Sequence, residues 1–290
     1  MNKKKKIVLI SVAAVTVVVL AVGILCGLTF FSPIPKNLEY GISTDKRVSI
    51  WHMPTDVKRY IFKNDRGVLP FLMSAPQNIE QGKEYPLVIY LHGRGDWGQD
   101  NVRQFVTPAP TLHNGIKKYA EPCYEIYPQS AKGEYWNSSW HTDEPAKYAL
   151  LVNELLDYAV FNDKLYPIDT NRIYIVGQSM GGYGVTYILQ LYPERYAAGV
   201  VIAAGVSWLH EGLDEQQKLA KIPMWIAQSK DDKINEYALF EGFVGGLELG
   251  GGGNYVTDIY EDKGHAVAKT VFKKPEFFAW LFGQIRGQHD

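Results

Sequence analysis

Cysteine is almost absent. The two present, Cys26 and Cys123, stand far apart, one inside an apolar N-terminal stretch and one just ahead of the strand-like run Tyr124 to Tyr127. A disulfide framework is therefore excluded as the basis of the fold. No C-x-x-C and no histidine-rich cluster occurs, so the chain predicts no metal site and no cofactor. Cys123 reads as a buried structural thiol rather than a nucleophile. Excess charge of either sign is missing too: 30 basic against 31 acidic residues leave a net charge of −1. Without a basic stripe no nucleic-acid partner is expected, and without an acidic tail no disordered solubiliser. No internal repeat is visible, which excludes a repeat array.

What is present suits one globular domain with a short extension: 290 residues, 46% of them hydrophobic. Aromatics reach 13%. Core and rim packing is their plain reading, with a sugar- or aryl-binding surface as the sharper one.

The first 31 residues carry a membrane signal. Lys3 to Lys6 form a basic cluster, and Ile7 to Phe31 then run without a charged residue. That run is about 25 residues, roughly 37 Å as a helix, enough to cross a bilayer core. It exceeds the apolar region of a secretory signal peptide, so an uncleaved signal anchor is expected. The lysines would stay cytoplasmic and the rest of the chain outside. Ala21-Val22-Gly23 offers a small-x-small cleavage site, which leaves secretion after cleavage as the alternative. Residues 32–55, with Pro33, Pro35 and Pro54, read as a linker, and 56–290 as the globular domain.

Strands are expected at 57–63, 69–75, 86–91, 123–127, 172–177, 198–203, 223–228 and 255–260. Helices are expected at 144–162, 180–191, 235–248 and 275–285. The alternation predicts an α/β fold with a mostly parallel central sheet and helices on both faces. Lys63 to Gly67 reads as a hairpin turn, giving the sheet an antiparallel start, and Gly250 to Gly253 as a flexible turn.

One motif concentrates the chemistry. Gly177-Gln178-Ser179-Met180-Gly181 follows the apolar run Arg172 to Val176 and opens a helical segment. A G-x-S-x-G between strand and helix is the nucleophile elbow of a serine hydrolase. Chance alone supplies the string in roughly one chain in ten of this length, so the partners must decide. A serine needs a base, and the base an orienting acid, in the chain order Ser, Asp or Glu, His. After the strand ending at Gln228 come Asp231 and Asp232. Asp232 stands where the acid belongs, with Asp231 as its rival. After the last strand comes Lys263-Gly264-His265. His265 is the expected base, since the other later histidine, His289, is next to the C-terminus. The oxyanion needs two backbone N–H donors. Met180 is one, and Arg94 in Leu91-His92-Gly93-Arg94-Gly95 is the other.

These residues carry a family resemblance. The strings PLVIYLHGRGDWGQDN, EIYPQSAKGEYW, DTNRIYIVGQSMGGYG and YPERYAAGV cover most of residues 57–285. In them the chain resembles an α/β-hydrolase of the esterase and polyhydroxybutyrate-depolymerase-like type, near the prolyl-oligopeptidase-like esterases and predicted peptidases. The resemblance implies acyl transfer through Ser179, Asp232 and His265. It departs at Gln228-Ser229, where such proteins often have His-Gly. The stretch from Gly205 to Lys221 is too short for a large lipase lid. A small open cleft is expected, and Trp97, Trp136 and Trp140 read equally as its lining or as packing. The expected substrate is an acyl ester, small or borne on a polymer. A serine peptidase, or a non-catalytic surface-binding protein that keeps the fold, are the alternatives.

Overall fold

The computed structural model describes residues 33–47, 49, 53–137, 145–205 and 213–288. The expected membrane segment at 1–31 lies outside the described residues. Among the described residues no helix is long and apolar enough to cross a membrane.

The described strands form a single sheet: β1 (Gly41–Thr44), β2 (Val57–Asn64), β3 (Gly67–Ser74), β4 (Tyr85–Leu91), β5 (Tyr124–Pro128), β6 (Ile168–Gln178), β7 (Ala198–Ile202), β8 (Met224–Ser229) and β9 (Tyr255–Tyr260). Their order is β1-β2-β3-β5-β4-β6-β7-β8-β9. The strands from β1 to β3 are antiparallel, as is the β3–β5 pairing, and from β5 across to β9 every pairing is parallel. Asn64 Oδ1 closes the expected hairpin turn by accepting the N–H groups of Arg66 (3.0 Å) and Gly67 (3.2 Å).

The sequences of β4 and β7 are apolar runs rather than alternations, β5 and β8 are largely so with Glu125, Gln228 and Ser229 as the exceptions, and all the residues of these four strands are buried. Such strands need cover on both faces. Helices α1 (Ala109–Tyr119), α6 (Ala268–Val271) and α7 (Pro275–Phe282) cover one face through Leu112, Ile116, Val271, Phe277 and Leu281. Helices α2 (Lys147–Leu156), α3 (Met180–Leu191), α4 (Leu213–Ala220) and α5 (Tyr237–Leu249) cover the other through Leu151, Ile188, Leu219 and Phe243. The helix expected at 144–162 is α2 continued by a wider turn at Asp157–Asn162. Helix α1 was not expected from the sequence.

The described part of 32–55 is more than a linker. β1 pairs with β2, and the turn after it ties into the protein. Asp45 accepts hydrogen bonds from Arg47 Nη2 (2.7 Å), Arg59 Nη2 (3.2 Å) and Asn101 Nδ2 (3.1 Å). Burial would raise the Asp45 carboxyl, but the Arg47 hydrogen bond and the two guanidinium charges outweigh it and hold it below its ordinary value. Arg47 and Arg59 donate onward to the carbonyls of Gln99 and Asp100. The first described residues of the domain therefore grip the loop that follows β4.

The topology also fixes where a site belongs. The chain leaves β4 towards β5 on one side and leaves β6 towards β7 on the other. The carboxyl ends of β4 and β6, paired as Leu91 with Gly177, therefore open a crevice. In open α/β sheets that switch point is where ligands bind.

Candidate active site

Ser179 sits at that switch point, between the end of β6 and the start of α3, with φ 56° and ψ −124°. This is a left-handed conformation that a side-chain-bearing residue adopts only under constraint. Two backbone bonds impose it: Ser179 N–H donates to Ile202 O (2.8 Å), and Ser179 O accepts Tyr183 N–H (3.1 Å). The flanking glycines make the turn sterically feasible. A Cβ on Gly181 would lie 2.0 Å from Leu91 O, and one on Gly177 would lie 2.2 Å from Gly181 O. Met180 is the first helical residue, so its N–H belongs to the set that has no partner inside the helix.

The loops after β8 and β9 bring the acid and the base together. His265 Nδ1 lies 2.8 Å from Asp232 Oδ2. Asp232 is buried, and its other oxygen accepts the N–H groups of Ile234 (2.8 Å) and Asn235 (3.1 Å). Asp231 points elsewhere and is exposed. Its Oδ1 accepts the Ser229 hydroxyl (2.6 Å) and the Gly264 N–H (2.7 Å), and these two bonds hold its carboxyl below the ordinary value. Ser229 Oγ in turn accepts Lys263 N–H (2.9 Å). The neighbours thus divide the work: Asp232 meets the imidazole, and Asp231 fixes the turn that carries it. Sequence reasoning missed this second role. The signal was the Gln228-Ser229 departure, since Ser229 completes the bracket and Gln228 Nε2 donates to Asn235 O (2.7 Å). Gln178, beside the serine, donates from its side chain to His265 O (2.5 Å) and joins the elbow to the histidine turn.

The loop after β4 faces the serine from the other strand. A Cβ on Gly93 would lie 3.9 Å from Ser179 Cβ, and Arg94 is the next residue, opening a short 3-10 turn to Asp96. His92 shapes this loop. It is fully buried, and burial lowers its pKa to about 4, against the opposing bond to Gly93 O. The Ser130 N–H donates to its Nε2 (3.1 Å), so the ring proton is on Nδ1 and donates to Gly93 O (2.8 Å). Trp136 Nε1 donates to His92 O (3.0 Å). That bond decides between the two readings of Trp136. Trp136 is completely buried and supports the loop from beneath instead of lining a cleft. Trp97 is half-buried at the surface, and Trp140 lies outside the described residues.

Asp96 closes the 3-10 turn through its N–H to Gly93 O (3.1 Å). Burial pushes its carboxyl up to about 7, with Arg103 opposing and the Asp100 charge adding. Unfolded, it would titrate near its ordinary value of 3.8. The folded state therefore holds this proton more tightly, and stability falls as pH rises through the window between those values. Asp96→Asn imitates the protonated acid. It is expected to melt as the parent does at pH 4 and to gain on the order of 3 kcal/mol above pH 7. Thermal melts across that range check this, and an equal effect at both ends would refute it. Among the described residues no cluster of histidine, cysteine or acidic side chains could hold a metal ion.

Known proteins place this geometry in context. The family model described as phospholipase/carboxylesterase matches residues 77–278. A poly(3-hydroxyalkanoate) depolymerase C of Paucimonas lemoignei is 30% identical over 126 residues, covering 41% of this chain and 28% of that protein. The structure of a thermostable esterase is 26% identical, with a TM-score of 0.67, over 80% of this chain and 64% of that one. The chain thus spans under a third of the depolymerase and just under two thirds of the esterase. A feruloyl esterase module from Clostridium thermocellum shares the fold at 13% identity and a TM-score of 0.56, over 86% of this chain and 99% of that one.

Proposed function

The chain belongs to the phospholipase/carboxylesterase family, and we propose that it is a serine hydrolase that cleaves carboxylic esters through an acyl-enzyme on Ser179. The observation that carries this reading is the 2.8 Å bond from His265 Nδ1 to the buried Asp232, on a turn tied to the strained serine elbow. With Nδ1–H committed to Asp232, the neutral imidazole has only Nε2 free to accept a proton. Ser179 Oγ attacks the ester carbonyl as Nε2 takes its proton. The carbonyl electrons move to the oxygen, which the Met180 and Arg94 N–H groups receive. The electrons then return, the C–O bond breaks, and the alcohol leaves with the proton from Nε2. Water repeats the sequence on the acyl-enzyme and frees Ser179. Each backbone donor is worth a factor of roughly 10² to 10³ in turnover.

The substrate class proposed is a carboxylic ester, on a small molecule or on a polymer. The name of the depolymerase relative favours the polymer form. We further propose that Lys3 to Lys6 and Ile7 to Phe31 hold the protein as a single-pass anchor with the hydrolase outside. Protease treatment of intact cells checks this: an externally placed domain is cleaved, and a protected one refutes the placement.

The chemistry is tested with a fluorophosphonate probe. The parent protein is expected to label stoichiometrically and Ser179→Ala not at all. An unlabelled parent would leave a non-catalytic binding protein as the better reading. Turnover of a panel of acyl esters beside short peptides separates esterase from peptidase.

A further inference from the structure

We propose that the hollow beside the Arg94 loop is a subsite for a carboxylate on the ester substrate. The proposal rests on the esterase reading and adds a specificity to it. The hollow has a volume of about 750 Å³. One wall is the loop that leaves Gly93, with Arg94, Trp97 and Asp100. The other walls bring Arg103 and Lys132. Gly93 lies against Ser179, and the next residue, Arg94, is both the expected oxyanion donor and part of the lining of this space.

Its polar groups are unbalanced. The one acid, Asp100, is already committed. Its Oδ1 accepts the N–H groups of Val102 (2.8 Å) and Arg103 (2.9 Å) and Gln129 Nε2 (3.1 Å), and its Oδ2 lies 3.5 Å from Arg103 Nε. Among the described residues, no carboxylate lies within ion-pairing distance of Arg94 or Lys132. The Arg94 guanidinium is nonetheless held in place, 5.3 Å over the Trp97 ring. Trp97 in turn packs edge-on to Tyr135 at 5.1 Å. Stacking leaves the in-plane N–H groups of a guanidinium available to a ligand. The uncommitted charged groups of the hollow are therefore two cations, Arg94 and Lys132, both of them donors. The complementary ligand offers acceptors and negative charge, which a carboxylate does and an amine or an alkyl chain does not.

Two matched substrate pairs test the subsite. The acyl pair is the para-nitrophenyl monoester of adipate beside para-nitrophenyl hexanoate. The alcohol pair is the butyrate ester of para-hydroxybenzoate beside phenyl butyrate. The readout is the ratio of kcat/KM within each pair, for the parent, for Arg94→Gln with Lys132→Gln, and for Arg94→Lys. At low salt the double variant is expected to lower the charged-to-neutral ratio about tenfold in at least one pair, with Arg94→Lys retaining most of it. The preference should shrink at high ionic strength, because the cations are exposed. Ratios equal in parent and double variant for both pairs overturn the subsite. Turnover of the neutral esters and fluorophosphonate labelling are recorded on the same preparations. If the parent shows both and the ratios do not move, only the subsite falls. If it shows neither, the esterase reading falls and the subsite with it.

Discussion

Replacing Asp232 with asparagine is expected to lower kcat for ester hydrolysis by about 10⁴-fold, nearly as much as His265→Ala. The size follows from which atoms the carboxylate has committed. Oδ1 accepts two backbone N–H groups, from Ile234 and Asn235. In the asparagine variant the amide oxygen must stay there, which turns the amide NH₂ towards His265 Nδ1. Two donors cannot share that bond, so Nδ1 must become the acceptor and the ring proton must move to Nε2. Nε2 is the atom that has to take the Ser179 proton, and it is then already protonated. Asp231 is expected to behave differently. Asp231→Ala removes the acceptor for Gly264 N–H and loosens the histidine turn, at a cost of about tenfold in kcat. Asp231→Asn keeps an acceptor oxygen and should recover most of that loss. Steady-state kinetics on the three variants decides. Equal losses at the two positions would remove the distinction between the acid and its supporting neighbour.

Gly181→Ala is expected to destabilise the fold by roughly 3 kcal/mol, the upper end of the usual cost of overpacking a core. The added Cβ would stand 2.0 Å from Leu91 O and 2.7 Å from Leu91 C. Those atoms belong to β4, which is buried throughout and bonded on both sides. Neither the strand nor the first turn of α3 can yield without opening the sheet. For a domain of this size the melting midpoint should fall by roughly 10 °C. A midpoint within two or three degrees of the parent would show that the elbow is looser than its contacts imply.

The elbow was legible in the sequence because its requirement is steric and local. Two glycines around a serine, after an apolar run, leave few backbone solutions. The parallel strands were legible for a related reason, since strands buried on both faces must be written as apolar runs. Helix α1 was not. Its sequence, with Pro110, His113, Asn114 and Gly115, has weak helix propensity, and only Leu112 and Ile116 mark a buried stripe. Its packing against α7, more than 150 residues later, supplies what local preference does not. β1 was hidden likewise, because Gly41-Ile42-Ser43-Thr44 carries no apolar pattern and becomes a strand only by pairing with β2. Position in the sequence favoured Asp232 over Asp231 without separating their roles. Burial of one side chain and exposure of the other separates them. Trp136 stayed open between two readings because an indole suits a cleft wall and a core equally. The carbonyl of His92, waiting for a donor, places it inside.

The grip of Asp45 on Arg59 and Asn101 has a practical consequence for anyone shortening this enzyme from its N-terminal side. A truncation chosen at the proline-rich stretch, on the view that everything before Val57 is spacer, would remove β1 and Asp45 together. Arg59, whose side chain is only 13% exposed, would keep its charge and lose its carboxylate. Leaving a shielded charge unpaired in this way costs up to about 3–5 kcal/mol. The damage would surface at the Asp100–Asn101 end of the catalytic loop, far along the chain from the cut. A boundary placed before Gly41 keeps the clasp intact.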